Sequence, residues 1–198
     1  MSNAIIVYIL LNYLVLFSFA KISYKLNLVD LPNKRKIHTK ATAYTGGIAI
    51  SVILLFAIIL FDDFNKNLSL ILSIAFLISV IGLVDDKYHL NIGGKLSLQL
   101  IPIIYLVIFE NLALNSLGNY TYLQLELGTF TIPFTFLSVL FLINAFNYFD
   151  GVDGLLGCVS VSVLVILYFL ASNQISHFLV SEQNIQFFLV IIIIPIIF

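Results

Sequence analysis

The chain has 198 residues, of which 61% are hydrophobic and 10% are charged, and its formal net charge at pH 7 is −1. Soluble domains carry about 25% charged residues, so this composition excludes a soluble globular protein and predicts a polytopic membrane protein. The charge balance offers no basic surface for a nucleic acid, and we expect no nucleic-acid partner. Because Cys158 is the single cysteine, an intrachain disulfide and a paired-cysteine metal site are excluded as well.

Long apolar runs separated by short polar segments predict the helices. Crossing ~30 Å of hydrocarbon takes about 20 residues of helix. Six runs are interpreted as full spans, although the fourth is short, and the last run is interpreted as a partial span of only 14 residues. We therefore predict an all-α fold with about six full transmembrane helices and a partial seventh. In chain order the predicted full spans are 3–24, 46–61, 68–84, 96–109, 132–148 and 155–171, and the partial span is 185–198.

Two local features modify this pattern. Pro102 lies inside the fourth run and is expected to kink that helix. Residues 120–131 alternate roughly between apolar and polar side chains around Gly128, which predicts a small extracytoplasmic β-hairpin. No repeat, linker or soluble segment interrupts the runs, so residues 1–198 are predicted to form a single transmembrane domain.

The distribution of basic residues predicts the orientation in the membrane. Alternating spans place loops 25–45, 85–95 and 147–154 on one side, and all nine Lys and Arg residues except Lys66 lie on or beside that side. The positive-inside rule makes this side cytoplasmic and the N-terminus external. The polar motifs described next all lie on this predicted cytoplasmic side.

Residues 144–155 form the densest polar motif, between two uncharged runs. In this motif a helical backbone would align the side chains of four residues spaced by three, Asn144, Asn147, Asp150 and Asp153, on one face. A carboxylate at the bilayer centre costs a few kcal/mol or more, so such residues are rare and usually functional. The alternative interpretation is a polar loop between two spans. An EF-hand is excluded, because it needs oxygen ligands at alternate positions and a glutamate at position twelve.

Asp85 and Asp86 follow the third apolar run directly. Paired acids beside a membrane favour a hard cation such as Mg²⁺, which takes few protein carboxylates and completes its octahedron with water and substrate phosphates. Adjacent helical residues point about 100° apart, so one carboxylate can hold metal while the other binds or deprotonates a second group. The alternative interpretation is an N-terminal helix cap, where Asp is favoured.

A basic motif, Lys-Arg-Lys-Ile-His at residues 34–38, lies on the same predicted side. Arg35 offers a fork of hydrogen-bond donors and Lys34 a point charge, which suits phosphate capture. The alternative is that these charges only retain the loop inside or contact anionic lipid. Carboxylates for Mg²⁺, basic residues and a membrane location together indicate phosphoryl transfer, in which a metal neutralises charge on the leaving phosphate.

Three blocks of the sequence carry a resemblance to a known family. They are residues 28–38 with Gly46 and Gly47, residues 82–99 with Asp85, Asp86, Lys95 and Gln99, and residues 144–155. In this order and spacing they resemble the polyprenyl-phosphate N-acetylhexosamine-1-phosphate transferases of the glycosyltransferase 4 type. That family is related to the phospho-N-acetylmuramoyl-pentapeptide translocase. The Arg-Lys-Ile-His sequence in the first block is more similar to the N-acetylhexosamine branch.

The resemblance implies an enzyme of the bacterial inner membrane that moves a sugar 1-phosphate, in particular N-acetylhexosamine 1-phosphate, from a UDP-sugar to undecaprenyl phosphate. UMP would be released, cell-wall or surface polysaccharide synthesis would begin, and Mg²⁺ or Mn²⁺ would be required. The implied catalytic residues are Asp85, Asp86, Asp150 and Asp153. The implied metal ligands are Asp85, Asp86 and Asp150. The implied substrate contacts are Arg35, His38, Lys95, Asn144 and Asn147.

Members of this family continue with further spans and a histidine-rich cytoplasmic loop, so we expect these residues to be an N-terminal part, truncated at the C-terminus. Two alternatives to an active transferase stay open at this point. The chain could be an inactive fragment of such an enzyme. It could also be a non-enzymatic membrane protein that binds or transports cations, which would require carboxylates at mid-membrane depth rather than at span ends.

Overall fold

Apolar helices dominate the computed structural model, which describes residues 2–30, 41–61, 64–120, 123–149, 154–171 and 185–197. Seven α-helices lie within those ranges: α1 (Ser2–Lys25), α2 (Gly46–Leu60), α3 (Lys66–Tyr88), α4 (Ile92–Ile104), α5 (Thr131–Phe149), α6 (Leu155–Ala171) and α7 (Ile185–Ile197). A π-helix, Tyr105–Phe109, continues α4, and a 3₁₀ turn, Gly128–Phe130, leads into α5. The short antiparallel strand pairs are β1 (Val29–Asp30) with β2 (Thr42–Ala43), and β3 (Ser116–Tyr120) with β4 (Leu123–Glu126).

Four helical segments among the described residues are long and apolar enough to cross a membrane: Asn3–Lys25, Lys66–Tyr88, Ile92–Phe109 and Gly128–Tyr148. Two further apolar helices, Gly46–Leu60 and Leu155–Phe169, are shorter. Helices of this length and composition fit a polytopic membrane protein, because every backbone polar group in hydrocarbon must be satisfied within the segment. Two of the six predicted full spans, 46–61 and 155–171, correspond to these shorter helices.

The polar connection predicted over residues 85–95 is much shorter than expected. Helix α3 continues to Tyr88 and α4 begins at Ile92, which leaves three residues between the helices. The apolar run that marks the hydrocarbon core ends before the helix does, because backbone hydrogen bonding continues into the polar region. Asp85, Asp86 and Lys95 therefore lie on helices, where a loop was predicted.

The strand pair near the predicted hairpin lies further towards the N-terminus than the predicted 120–131. Strand β3 begins at Ser116 and pairs with Glu126 across the ladder, and the register is irregular between Ser116 and Asn119. Gly128 has a φ of +50° and begins the 3₁₀ turn, so it is not the turn residue of the pair. The predicted position of the hairpin is wrong, because a glycine signal does not distinguish a hairpin turn from the start of a helix.

The buried core lies between α1, α2, α3 and α7. One cluster contains Tyr8, Ile53, Ala57, Phe61 and Ile191, and a neighbouring cluster contains Leu54, Leu68 and Leu72. Along α1 the large apolar residues on the other side stay exposed, including Leu10, Leu14 and Phe17. In a lipid solvent this is the expected arrangement, because apolar side chains gain little by leaving lipid and helices associate through close packing and polar contacts.

Polar side chains near the C-terminal end of α1 and at the start of α2 join neighbouring segments. The Thr45 hydroxyl donates to the Phe19 carbonyl at 3.1 Å, and the Ser23 hydroxyl donates to the Leu28 carbonyl. The Tyr24 hydroxyl donates to the Ala41 carbonyl at 2.8 Å. These bonds fix the end of α1 against the start of α2 and bring together the chain on both sides of the basic segment.

In the described helices, Pro102 and Pro195 lie in helix interiors, where a proline leaves a carbonyl without its usual donor. Pro195 has no N–H, so the Ile191 carbonyl one turn earlier loses its helical partner. The Tyr8 hydroxyl of α1 donates to that carbonyl at 3.1 Å, and both residues are buried. In α4, Pro102 is followed by the π-helix at Tyr105–Phe109, so the predicted irregularity takes the form of a change in helix type.

Candidate active site at the junction of α3, α4 and α5

The turn between α3 and α4 is built by two helix ends. His89 ends α3 with φ 50° and ψ 63°, and its N–H donates to the Asp85 carbonyl at 2.7 Å. Asn91 is the N-cap of α4, and its Oδ1 accepts the Gly94 N–H at 2.6 Å. Asparagine is a favoured N-cap, since its side-chain oxygen satisfies an amide that has no helical partner. This connection places the last turn of α3 beside the first turns of α4.

Gly94 allows the cap to close. A Cβ built at position 94 would lie 2.9 Å from the Asn91 Oδ1, which is closer than real Cβ atoms approach. The sequence Asn91-Ile-Gly-Gly-Lys95 is therefore a capping motif, and it places Lys95 in the first turns of α4. The glycine here has a structural function within the second sequence block.

Lys95 joins three helices. Its Nζ lies 2.7 Å from Asp85 Oδ2 in α3 and donates to Asn147 Oδ1 in α5 at 3.0 Å. The exposed fractions of the Lys95 and Asp85 side chains are 15% and 17%, so the ion pair is largely removed from solvent. A charge pair with so little solvent contact needs hydrogen bonds to offset desolvation, and Asn147 supplies one. We call Asp85, Lys95 and Asn147 the junction triad.

A second polar contact between α4 and α5 lies next to the triad. Gln99 is 3% exposed, and its Oε1 accepts from Asn144 Nδ2 at 3.0 Å. The same Asn144 nitrogen donates to the Leu140 carbonyl at 2.8 Å. Lys95 and Gln99 are four residues apart, and Asn144 and Asn147 are three apart, so the two contacts form successive rungs between antiparallel helices.

The triad borders a cleft of about 700 Å³. Asp85, Lys95 and Asn144 form the polar part of its lining, and the rest is apolar, including Leu96, Leu137 and Phe141. Leu137 and Phe141 are each 71% exposed, so the apolar wall of the cleft continues into the outer surface of α5. The cleft can therefore present a charged end and an apolar wall to one ligand.

The acidic pair points in two directions, as neighbours on a helix do. Asp85 faces Lys95, while Asp86 is partly buried one residue further along α3. Among the residues that the structure describes, no group of three or more His, Cys, Asp or Glu side chains could hold a metal ion. Asp85 and Asp86 thus supply at most part of a ligand set there.

Four of the predicted site residues, Arg35, His38, Asp150 and Asp153, lie outside the described residues. The structure describes the residues that flank these segments in the sequence. Val29 pairs with Ala43 and Asp30 with Thr42, so both ends of the basic segment start from one strand pair. Helix α5 carries Asn144 and Asn147 and ends at Phe149, directly before Asp150.

A separate polar cluster lies at the other end of α3. Lys66 Nζ is 2.8 Å from Glu110 Oε2, and the Tyr105 hydroxyl donates to Glu110 Oε1 at 3.0 Å. The hydrogen bond from Lys66, and then the one from Tyr105, hold the pKa of the Glu110 carboxyl below its ordinary value. At 1.5 Å per residue, Lys66 is ~28 Å along α3 from Asp85, so this cluster is distant from the candidate active site.

Sequence reasoning missed the roles of Asn91 and Gln99. The cap was detectable, because an asparagine directly before a glycine-rich helix start is a known N-cap signal. Gln99 belongs to the second sequence block, but the sequence pattern assigns it no role. Only its burial and its contact with Asn144 reveal one, and both depend on how α4 packs against α5.

The model of glycosyl transferase family 4 matches residues 67–198. The chain is 35% identical over 173 residues, 85% of its length, to the undecaprenyl-phosphate alpha-N-acetylglucosaminyl 1-phosphate transferase of Escherichia coli O157:H7, of which the match covers 47%. It is 33% identical over 180 residues, 89% of its length, to the Yersinia pestis protein of the same name, of which 49% is covered.

A Bacillus subtilis (strain 168) protein named as a probable undecaprenyl-phosphate N-acetylglucosaminyl 1-phosphate transferase is 30% identical over 155 residues, which are 77% of this chain and 43% of that protein. The chain thus spans about half the length of the curated relatives it matches. No solved structure matches it significantly.

Proposed function

Because the chain belongs to glycosyl transferase family 4, we propose that it forms part of an enzyme that transfers a sugar 1-phosphate from a UDP-sugar to undecaprenyl phosphate. The sugar is an N-acetylhexosamine, in keeping with the names of the relatives. The enzyme releases UMP and begins the synthesis of a cell-wall or surface polysaccharide.

The junction triad is the observation that carries this proposal. It combines a carboxylate, a cation and an amide at the meeting point of three helices and at the charged end of an apolar cleft. A water-soluble nucleotide sugar and a lipid phosphate need such a boundary site, where charged groups lie beside hydrocarbon. The apolar wall at Leu137 and Phe141 suits the first isoprene units of the lipid acceptor.

The reaction exchanges one phosphoanhydride for another. An oxygen of the acceptor phosphate forms a bond to the phosphorus that carries the sugar, and the bond from that phosphorus to the bridging oxygen of UMP breaks. Charge accumulates on the leaving phosphate, which a positioned cation stabilises in a site of low dielectric constant. Lys95 has the charge and the location for that role, and its present partner, Asp85, would be exchanged for a substrate phosphate.

Magnesium fits the donor chemistry of the site. Asp85, Asp86 and Asp150 are hard oxygen ligands, and Mg²⁺ takes one or two carboxylates together with substrate phosphates. Mn²⁺ has similar ligand preferences. The metal would draw electron density from the bridging phosphate oxygens when bound. Asp153 is proposed to complete the acidic end of the site, and Arg35 and His38 are proposed to contact substrate from the basic segment.

We further propose that the enzyme is a multi-pass protein of the bacterial inner membrane with the triad on the cytoplasmic side. Helices α2 and α6 would add two crossings to the four segments that meet the length criterion. The distribution of Lys and Arg supports this orientation. A UDP-sugar is a cytoplasmic metabolite, so its site must open to that side.

The direct test is UMP release by the full-length protein in detergent or vesicles with UDP-N-acetylhexosamine, undecaprenyl phosphate and Mg²⁺. We expect turnover of roughly 1 s⁻¹ or more, lost on chelation and restored by Mg²⁺ or Mn²⁺. A properly inserted protein that releases no UMP would favour the inactive or cation-binding alternatives.

Substitution of the acids tests the assignment of the site. Asp86→Asn and Asp150→Asn retain side-chain shape but lose the charge that binds metal or activates the acceptor. We expect each to lower kcat by a factor of about 100 or more without changing membrane insertion. The matched control is Glu126→Gln, an exposed carboxylate in β4, which should retain full activity. If a variant keeps more than about half of the wild-type activity, the assignment of that residue to the site is wrong.

A further inference from the structure

Gln99 is a buried polar residue next to the junction triad, and its side chain contacts Asn144. Gln99 is 3% exposed, in a helix whose neighbouring positions are largely apolar. A polar amide at such a position is unfavourable unless it forms hydrogen bonds, so an apolar side chain would suit packing better. The bond from Asn144 Nδ2 to Gln99 Oε1 at 3.0 Å explains the glutamine.

The chemistry of the partners determines the orientation of the Asn144 amide. The Leu140 carbonyl can only accept a hydrogen bond, so the Asn144 atom that lies 2.8 Å from it must be the nitrogen. The Gln99 atom that faces the same nitrogen must then be the acceptor, Oε1. Both protons of Asn144 Nδ2 are thereby used within the protein.

These two hydrogen bonds determine which atom of the Asn144 side chain can contact a ligand. With both amide protons engaged, Oδ1 is the hydrogen-bonding atom of the side chain that stays available, and it has no partner among the described residues. Asn144 lines the cleft together with Asp85 and Lys95. The side chain can therefore act towards a bound substrate only as an acceptor, for a hydroxyl or an amide N–H.

We propose that Gln99 is a positioning residue of the transfer reaction, which acts by holding Asn144 as an acceptor for a donor group of the nucleotide sugar. This inference rests on the proposed function. Gln99 does not line the cleft as described, so its effect on the reaction passes through Asn144. It also forms the inner of the two rungs between α4 and α5, of which the outer rung is Lys95 with Asn147.

The test is a double-mutant cycle in the full-length protein, with UMP release as the assay. Gln99→Met keeps the length and removes the acceptor, and Asn144→Ala removes the side chain that Gln99 holds. We expect Gln99→Met to raise the KM for the UDP-sugar and to lower kcat/KM by about tenfold, the size of one buried hydrogen bond. If Gln99 acts through Asn144, the double variant should be no less active than Asn144→Ala alone.

The matched control is Gln124→Met, the same chemical change at an exposed position in β4, which should leave both parameters unchanged. Gln99→Ser removes the amide without adding apolar bulk, and it repeats the cycle if the methionine variant does not accumulate in membranes. A change in thermal stability with unchanged KM and kcat would overturn the proposal and leave Gln99 a packing residue. Multiplicative losses in the double variant would overturn it too.

The failure of this inference differs from the failure of the proposed function. If wild-type protein releases no UMP, the proposed function fails and the role of Gln99 fails with it. If wild-type protein is active and the cycle is multiplicative, only the role of Gln99 fails. A KM increase for undecaprenyl phosphate alone would also overturn the proposal, since it commits Asn144 to the nucleotide sugar.

Discussion

Lys95 links three helices at the candidate active site, because its ammonium contacts side chains from two other helices. Its carboxylate partner, Asp85, is 17% exposed. Removing one member of a nearly buried ion pair leaves an uncompensated charge, which is more unfavourable than removing both members. The pair should therefore respond to substitution in a way that a solvent-exposed ion pair would not.

We expect Lys95→Met to destabilise the folded protein by about 1–3 kcal/mol, because Asp85 loses its counterion. Adding Asp85→Asn should restore part of that loss, since the carboxylate is then neutral. Thermal unfolding in detergent measures both. The matched control is Lys87→Met, which removes an exposed lysine whose ring contact with Tyr88 spans 5.4 Å. Equal stability of Lys95→Met and Lys87→Met would show that the ion pair contributes nothing measurable.

At the scale of elements, the two prolines show how helices in a membrane tolerate a missing N–H. The Ile191 carbonyl is satisfied by the Tyr8 hydroxyl from another helix. A buried carbonyl without a donor is unfavourable in protein and more so in hydrocarbon. The contact therefore couples α1 to α7 through a hydrogen bond as well as through packing.

Tyr8→Phe should destabilise the protein by about 1 kcal/mol, a usual value for a hydrogen bond between membrane helices. In a Pro195→Ala background the loss should be smaller, because an alanine N–H can donate to the Ile191 carbonyl. Unfolding in mixed detergent measures the coupling. Tyr13→Phe is the matched control, since Tyr13 is 62% exposed. An identical loss in both backgrounds would show that the hydroxyl acts independently of the proline.

The N-cap of α4 determines where Lys95 and Gln99 lie in the candidate active site. Asn91 and Gly94 start the helix at a defined residue, and the register of every α4 side chain follows from that start. Lys95 and Gln99 then lie on the face of α4 that contacts α5. A shift of one residue would rotate both side chains by about 100° and break both rungs.

For the whole molecule, the two ends of α3 each lie beside a lysine–carboxylate pair. The triad lies at one end, and the Lys66–Glu110 pair lies ~28 Å away at the other. That separation is close to the ~30 Å thickness of the hydrocarbon core. The predicted topology assigns the triad to the cytoplasm and the Lys66 end to the outside.

Single cysteines in a Cys158→Ser background test this assignment in intact cells of the expression host. Tyr88→Cys lies near the triad at an exposed position, and Asn115→Cys lies at an exposed position beyond the π-helix. An impermeant thiol reagent should label only position 115, because the proposed topology places position 88 on the cytoplasmic side. Permeabilised cells provide the control in which both positions react. Labelling of position 88 in intact cells would reverse the orientation.

Much of the helical arrangement could be predicted from the sequence. The predicted span 46–61 corresponds to α2 at Gly46–Leu60, and the span 132–148 corresponds to α5 at Thr131–Phe149. Hydropathy is a local sum over neighbouring residues, so it locates apolar helices without knowledge of their packing. It does not locate the point where a helix ends in the polar region, which is why the loop over 85–95 was predicted too long.

The class of protein, the order of the apolar helices and the family could be predicted without the structure, because composition, hydropathy and motif spacing are properties of the linear chain. The packed helices were needed to show that Lys95 pairs with Asp85 and that Gln99 contacts Asn144. They were also needed to show that the Tyr8 hydroxyl donates to the Ile191 carbonyl, which lacks a helical donor because of Pro195. Those pairings depend on the distance and rotation of one helix relative to another. These are set by the packing of whole helix surfaces, which no local pattern of residues specifies.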